Sequence, residues 1–294
     1  MQAATRSQAD ATLDFLNRTL LSSLGAALVF LGIAGPAPAQ RDDNAFRSAA
    51  LGGKLLRFES YVPADYATSG KRYPVVYFLH GLPSASDGYR QLGFVENALA
   101  ALGHPAILIA PQGAQDRDPD AEYLDLGVGR NWDTALTQEL PRIVDARFRS
   151  IPSRSGRALI GLSAGGYGAM HLGLEHLGRF SVVESWSGYF HPTDPSGTRS
   201  LDLGSTKDND SANVHRQLAR LQVQLRSLPT FIAFYVGRDD GRFAAENEVL
   251  NQELSRAGIE HVFRLYAGGH DNALWQRYAP DWLALALAHL APAR

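Results

Sequence analysis

The sequence predicts an α/β fold: a mostly parallel central sheet with helices on both of its faces. Three observations predict it. From about residue 50 onward, short apolar runs alternate with longer segments of helical spacing. Runs such as PVVYFL (74–79), AILIA (106–110) and TFIAFYV (230–236) are continuous rather than alternating, as strands buried on both faces must be. The 294 residues suffice for one large domain of this kind.

The elements follow in order. Residues 55–62 read as an opening strand and 74–79 as a buried one, stopped by His80-Gly81. Residues 88–102 have helical spacing, and 106–110 form the next strand. Residues 133–148 predict a helix with Asp133 as its N-cap. A strand over 157–162, a helix over 164–177 and a strand over 180–185 come next. A helix over 213–226, a strand over 230–236 and a helix over 243–257 follow. Residues 261–266 make the last strand, and 272–290 a closing helix. Two long polar connections, 112–131 and 188–212, follow strands at their carboxyl ends, where such sheets bind ligands. Loops of that length are often functional.

Composition excludes several classes. A formal net charge of −2 with scattered Arg and Lys offers no basic surface for nucleic acid. With no cysteine, disulfides, thiol nucleophiles and thiolate metal sites are ruled out. His171 and His176 are five apart and do not share a helix face, so no metal pair is expected from them. Residues 20–33 form an uncharged, mostly apolar run followed by Ala37-Pro38-Ala39. That pattern predicts a secretory signal or an N-terminal anchor over 1–39, ahead of a domain spanning 40–294. The run is shorter than the roughly 20 residues of a spanning helix.

Gly161-Leu162-Ser163-Ala164-Gly165 matches G-x-S-x-G. It follows an apolar strand and opens a helical segment, the setting this motif needs. The serine would sit in a tight turn with its oxygen exposed, and side chains at Gly161 and Gly165 would collide with the returning chain. Gly166 and Gly168 suggest close packing of the first helical turn, since glycine there costs helix stability. A helix beginning at Ala164 aims free N–H groups at the same point. The amides of Ala164 and of Leu82, after the 74–79 strand, are the candidate oxyanion donors.

In α/β folds that carry this motif, an acid and then a histidine follow the serine. Asp239 and Asp240 both follow the 230–236 strand and compete for the acid position. Gly268-Gly269-His270 follows the last strand, where glycines let the loop bring the base back over the sheet. His80 precedes the acid and is expected to act structurally beside Gly81. Trp132, Trp186 and Tyr189 lie near strand ends and are the candidate pocket-lining residues. Neutral His270 would take the proton of Ser163, and no metal or organic cofactor is needed for such chemistry.

At these residues the sequence resembles the esterase D family of α/β-hydrolases. That group includes S-formylglutathione hydrolases, feruloyl esterase domains, siderophore esterases and mycobacterial mycolyltransferases. The resemblance spans about residues 50–290. It is carried by YPVVYFLHG (73–81), Glu139-Leu140-Pro141, GLSAGGYGAM (161–170), VGRDDG (236–241) and AGGHD (267–271). It implies an α/β-hydrolase fold, an acid at Asp240 through the G-x-x-D pattern, and oxyanion donors at Leu82 and Ala164. It further implies a serine esterase acting on a small-molecule, glycan or lipid ester. Transfer of the acyl group to a sugar or lipid hydroxyl is the alternative, and a binding module that has lost its chemistry is a third. The chain lacks the oxyanion-loop cysteine usual in S-formylglutathione hydrolases. It also carries a Gly165-Gly166 pair that mycolyltransferases usually lack.

Overall fold

The computed structural model describes residues 40–82, 86–103, 106–115, 122–194 and 199–294. The expected signal or anchor, residues 1–39, lies outside them. The strands are β1 (Gln40–Arg47), β2 (Leu55–Val62), β3 (Val75–Leu79), β4 (Ile107–Pro111), β5 (Arg157–Leu162), β6 (Val182–Trp186), β7 (Phe231–Gly237) and β8 (Val262–Tyr266). They form one sheet in the order β1-β2-β4-β3-β5-β6-β7-β8. β2 pairs antiparallel with β1 and with β4, and every other pairing is parallel. This is the eight-stranded sheet of the α/β-hydrolase fold.

The helices are α1 (Tyr66–Ser69), α2 (Gly93–Ala101), α3 (Trp132–Thr134), α4 (Leu140–Arg147), α5 (Ala164–Glu175), α6 (Thr206–Ala212), α7 (Val214–Ser227), α8 (Ala244–Arg256) and α9 (Asn272–Ala288). They cover both faces of the sheet, which explains the unbroken apolar strands. Along β5, Ala158, Ile160 and Leu162 enter the core shared with α2 and α9. Leu159 enters the opposite core, beside residues of α5, α7 and α8. No described helix is long and apolar enough to cross a membrane.

The structure departs from these expectations in five places. The helix expected over 88–102 is split into a 3-10 turn, Gly88–Gln91, and α2. Gly88 packs on His80, where an added Cβ would lie 2.9 Å from Nδ1. The helix expected from Asp133 starts one residue earlier, at Trp132, with Asn131 in the capping position. The Asp133 carboxylate instead accepts from Thr137 and pairs with His176. Between α3 and α4 the chain widens into a π turn, Ala135–Glu139. Pro141, with no N–H and a ring that crowds the preceding turn, accounts for the widening. The 188–212 connection holds α6, capped by Ser205, whose hydroxyl accepts from the Asp208 amide. β1 was not expected: its sequence is polar, and its place comes from backbone pairing at the sheet edge.

Candidate active site

Ser163 sits between β5 and α5 with φ 56° and ψ −118°. For a residue with a Cβ this conformation is strained. Neighbours on every side hold it. The Ser163 amide donates to the Trp186 carbonyl at 2.8 Å, and its carbonyl accepts from Tyr167 at 3.0 Å. Gly161 and Gly165 are obligatory here, since a Cβ on the first would collide with the Gly165 carbonyl and one on the second with that of Leu79. Gly166 meets the backbone of Gly188, and Gly168 lies against the Tyr123 ring. The glycines of this helical turn are therefore packing residues.

The β7 and β8 loops bring the other two groups. Asp239 donates its amide to the Gly268 carbonyl at 2.9 Å, and Arg238 to that of Tyr266 at 2.7 Å, which fastens the loops together. Gly237 permits the crossing, because a Cβ there would strike the Gly268 and Gly269 carbonyls. His270 Nε2 lies 2.9 Å from Ser163 Oγ, and its Nδ1 lies 2.8 Å from Asp240 Oδ2. With Nδ1–H donating to the carboxylate, Nε2 is the acceptor for the serine hydroxyl. Of the two acids, Asp240 is the one the structure brings to His270, with only 1% of its side chain exposed; Asp239 points to solvent.

Burial opposes ionisation of Asp240. The hydrogen bond and charge of His270, with the amides of Arg242 and Phe243, outweigh that burial and hold its carboxyl below the usual range. The imidazole is wedged edge-on between the rings of Phe243 at 5.2 Å and Trp275 at 5.0 Å. These contacts leave little room for the ring to turn.

Ala164 is the first residue of α5, so its N–H has no partner within the helix. The segment of Gly81 and Leu82 lies against the serine, with an added Gly81 Cβ only 3.1 Å from Ser163 Cβ. Both candidate donors therefore flank Ser163. His80 is buried, and both its ring nitrogens are engaged. Nδ1–H donates to the Gly81 carbonyl at 2.9 Å, and Nε2 accepts from the Gly113 amide at 3.0 Å. Burial lowers its pKa, so it stays neutral. It braces the loop that carries Leu82 and has no nitrogen left to act as a base.

The serine opens into a cleft of about 460 Å³. Of the three aromatic residues expected there, only Tyr189 borders it, with its hydroxyl donating to Glu122 at 2.7 Å. Trp132 and Trp186 are buried, at 1% and 0% exposure, in opposite cores. The Trp186 indole N–H donates to Glu184 inside the sheet's α9 side. Strand ends were the right region, but both side chains turn into the packing layers. The walls are instead built by Phe94, Arg242, Phe243, Trp275, Asn272 and Gln276. For all of these but Phe94, proximity to the expected acid or base is the only signal the sequence carries.

His171, on α5, accepts from Gln217, and His176, just past the end of that helix, pairs with Asp133. Among the described residues no cluster of His, Asp or Glu could hold a metal ion.

Comparisons with known proteins point to an esterase family. The family described as "Putative esterase" matches residues 48–283. Esterase Rv1288 of Mycobacterium tuberculosis is 33% identical over 265 residues, covering 79% of this chain and 56% of that protein. The chain thus spans little more than half the length of that relative. The diacylglycerol acyltransferase/mycolyltransferase Ag85A of Mycobacterium leprae is 27% identical over 207 residues, covering 66% of this chain and 60% of that one. Among solved structures, a ferulic acid esterase superposes with a TM-score of 0.71 at 23% identity, covering 86% of this chain and 99% of that one. An S-formylglutathione hydrolase from Agrobacterium tumefaciens superposes at 0.70 with 18% identity, covering 86% and 96%. At those identities the two superpositions speak for the fold alone.

Proposed function

The chain belongs to the putative esterase family, and on that premise we propose that it is a serine hydrolase cleaving carboxylic esters through an acyl-enzyme. The observation that carries the reading is the unbroken hydrogen-bonded line from Ser163 through His270 to Asp240. His270 Nε2 takes the serine proton as Oγ attacks the ester carbon. The developing oxyanion is met by the amides of Leu82 and Ala164. His270 then gives the proton to the departing alcohol. Water, activated by the same nitrogen, attacks the acyl-enzyme and frees the acid. Asp240 stays ionised, keeps the imidazole in the productive tautomer and stabilises its protonated form.

Transfer of the acyl group to an alcohol acceptor is the second reading. It is supported by the likeness to the mycolyltransferase, and the chemistry up to the acyl-enzyme is the same. Product analysis with and without a sugar or lipid alcohol separates the two. The test of the shared step is Ser163→Ala. We expect loss of 4-nitrophenyl acetate turnover by about 10⁴-fold or more, with an unchanged circular dichroism spectrum. Turnover retained in a folded variant would overturn the proposal.

A further inference from the structure

The walls of the cleft are unevenly charged. Among the described residues that border it, Arg242 is the one with a fixed charge, and no Asp or Glu borders it. Arg242 is exposed and makes no ion pair with any described carboxylate. Its guanidinium lies over the Phe243 ring, 4.8 Å from the centroid. The same ring meets the His270 imidazole at 5.2 Å. The Arg242 amide also donates to Asp240 Oδ1, so its backbone belongs to the rigid acid loop. A cation held against an aromatic face loses less freedom on capturing an anion than one on a free stem. Asn272 and Gln276, four apart at the start of α9, add neutral hydrogen-bonding groups to the cleft.

The geometry points to a carboxylate- or phosphate-binding subsite at Arg242, serving the alcohol half of the ester. The inference rests on the esterase reading above. The side of the ester follows from the chemistry. The alcohol leaves with the proton that His270 delivers, so its oxygen must lie against the imidazole. Arg242 is reached from that imidazole across the Phe243 ring, which meets both groups. An alcohol with a negative group a few bonds from its oxygen would place that group over Phe243 and on the guanidinium, whose planar fork matches it in two parallel bonds. Bonds made by this remote group raise apparent affinity whether or not they strengthen in the transition state.

The experiment compares two acetyl esters of matched shape, 4-acetoxybutanoate and 4-methylpentyl acetate, with 4-nitrophenyl acetate as control. Acetate release is followed at low salt. The expected result is a kcat/KM at least tenfold higher for the anionic ester, expressed through KM and shrinking as salt is raised. Arg242→Gln should bring the two esters to within about twofold, and Arg242→Lys should restore part of the preference. If 4-nitrophenyl acetate is turned over but the anionic ester is not favoured, the subsite is overturned and the esterase reading stands. If none of the three is turned over, the esterase reading falls and the subsite with it.

Discussion

Asp240 and His270, thirty positions apart, are joined by one hydrogen bond of 2.8 Å, and the neighbouring Asp239 does not share it. The consequence is a sharp asymmetry between adjacent acids. Asp240→Asn keeps the shape but cannot stabilise the protonated imidazole, and it favours the wrong tautomer. We expect kcat to fall by about 10⁴-fold. Asp239→Asn removes an exposed charge and should stay within about threefold of the native rate. Steady-state rates on 4-nitrophenyl acetate decide it, and equal losses in the two variants would contradict the assignment.

The asymmetry also shows how far the sequence could be read. That Ser163 and His270 would meet was legible, because the motif demands small neighbours and a loop placed after a particular strand. Those demands are local, and local chemistry is written in local residues. The preference for Asp240 leaned partly on the family pattern, since spacing alone left Asp239 in competition. Trp132 and Trp186 were misread because distance along a strand does not tell which face a side chain enters. Strand β1 escaped because its pairing is backbone to backbone, with Phe46 the buried apolar side chain near its end. Arg242 and Phe243 could not be recognised as cleft walls, because their role depends on where the loop after β7 lies against the loop after β8.

His80 gives a second prediction. Its Nε2 is the acceptor for the Gly113 amide, and its Nδ1–H holds the Gly81 carbonyl. His80→Ala leaves the Gly113 donor unpaired in a buried place, at a cost of about 1–3 kcal/mol. It also frees the segment that presents Leu82. We expect a lower unfolding midpoint in urea and a kcat reduced by about 10- to 100-fold. KM for a short ester should change less. A variant with native kcat would show that His80 does not brace the oxyanion loop.

Glu184 predicts an unusual pH dependence of stability. It is fully buried on β6, and burial, against the hydrogen bond donated by the Trp186 indole, pushes its pKa up to about 8. In the unfolded chain the group releases its proton near 4.5. Below that value both states hold the proton, and Glu184 adds no slope with pH. Between 4.5 and 8 only the folded state holds it, so stability declines as pH rises by up to about 1.4 kcal/mol per unit. Above 8 the decline stops. Glu184→Gln should remove this slope, matching the native protein near pH 4.5 and exceeding it near pH 8. Urea midpoints that run parallel across that range would rule out a proton held on Glu184.

Glu246 acts in the opposite sense at the start of α8. Its Oε1 accepts from His191 Nδ1 at 2.6 Å and from the Phe190 amide at 3.1 Å. His215 bridges it to Glu253. Burial would raise the Glu246 pKa, but the hydrogen bonds and charges of His191 and His215 reverse this and bring it down to about 2. Its contribution is therefore present above the unfolded value of 4.5 and is lost as pH falls toward 2. For His215, burial is outweighed by Glu246 and Glu253, and its pKa is raised from 6.5. That contribution is full below 6.5 and is lost as pH climbs through the raised value. The cluster should thus stabilise most between about pH 4.5 and 6.5. It ties the chain after β6 to the helix that follows the Asp240 loop. Glu246→Gln should cost about 1.5–3 kcal/mol in that window, as expected for a charged hydrogen bond. The loss should shrink near pH 9 and near pH 2.5. Thermal midpoints of both proteins across pH trace that bell, and a difference independent of pH would show that the charge on Glu246 is not what holds the junction.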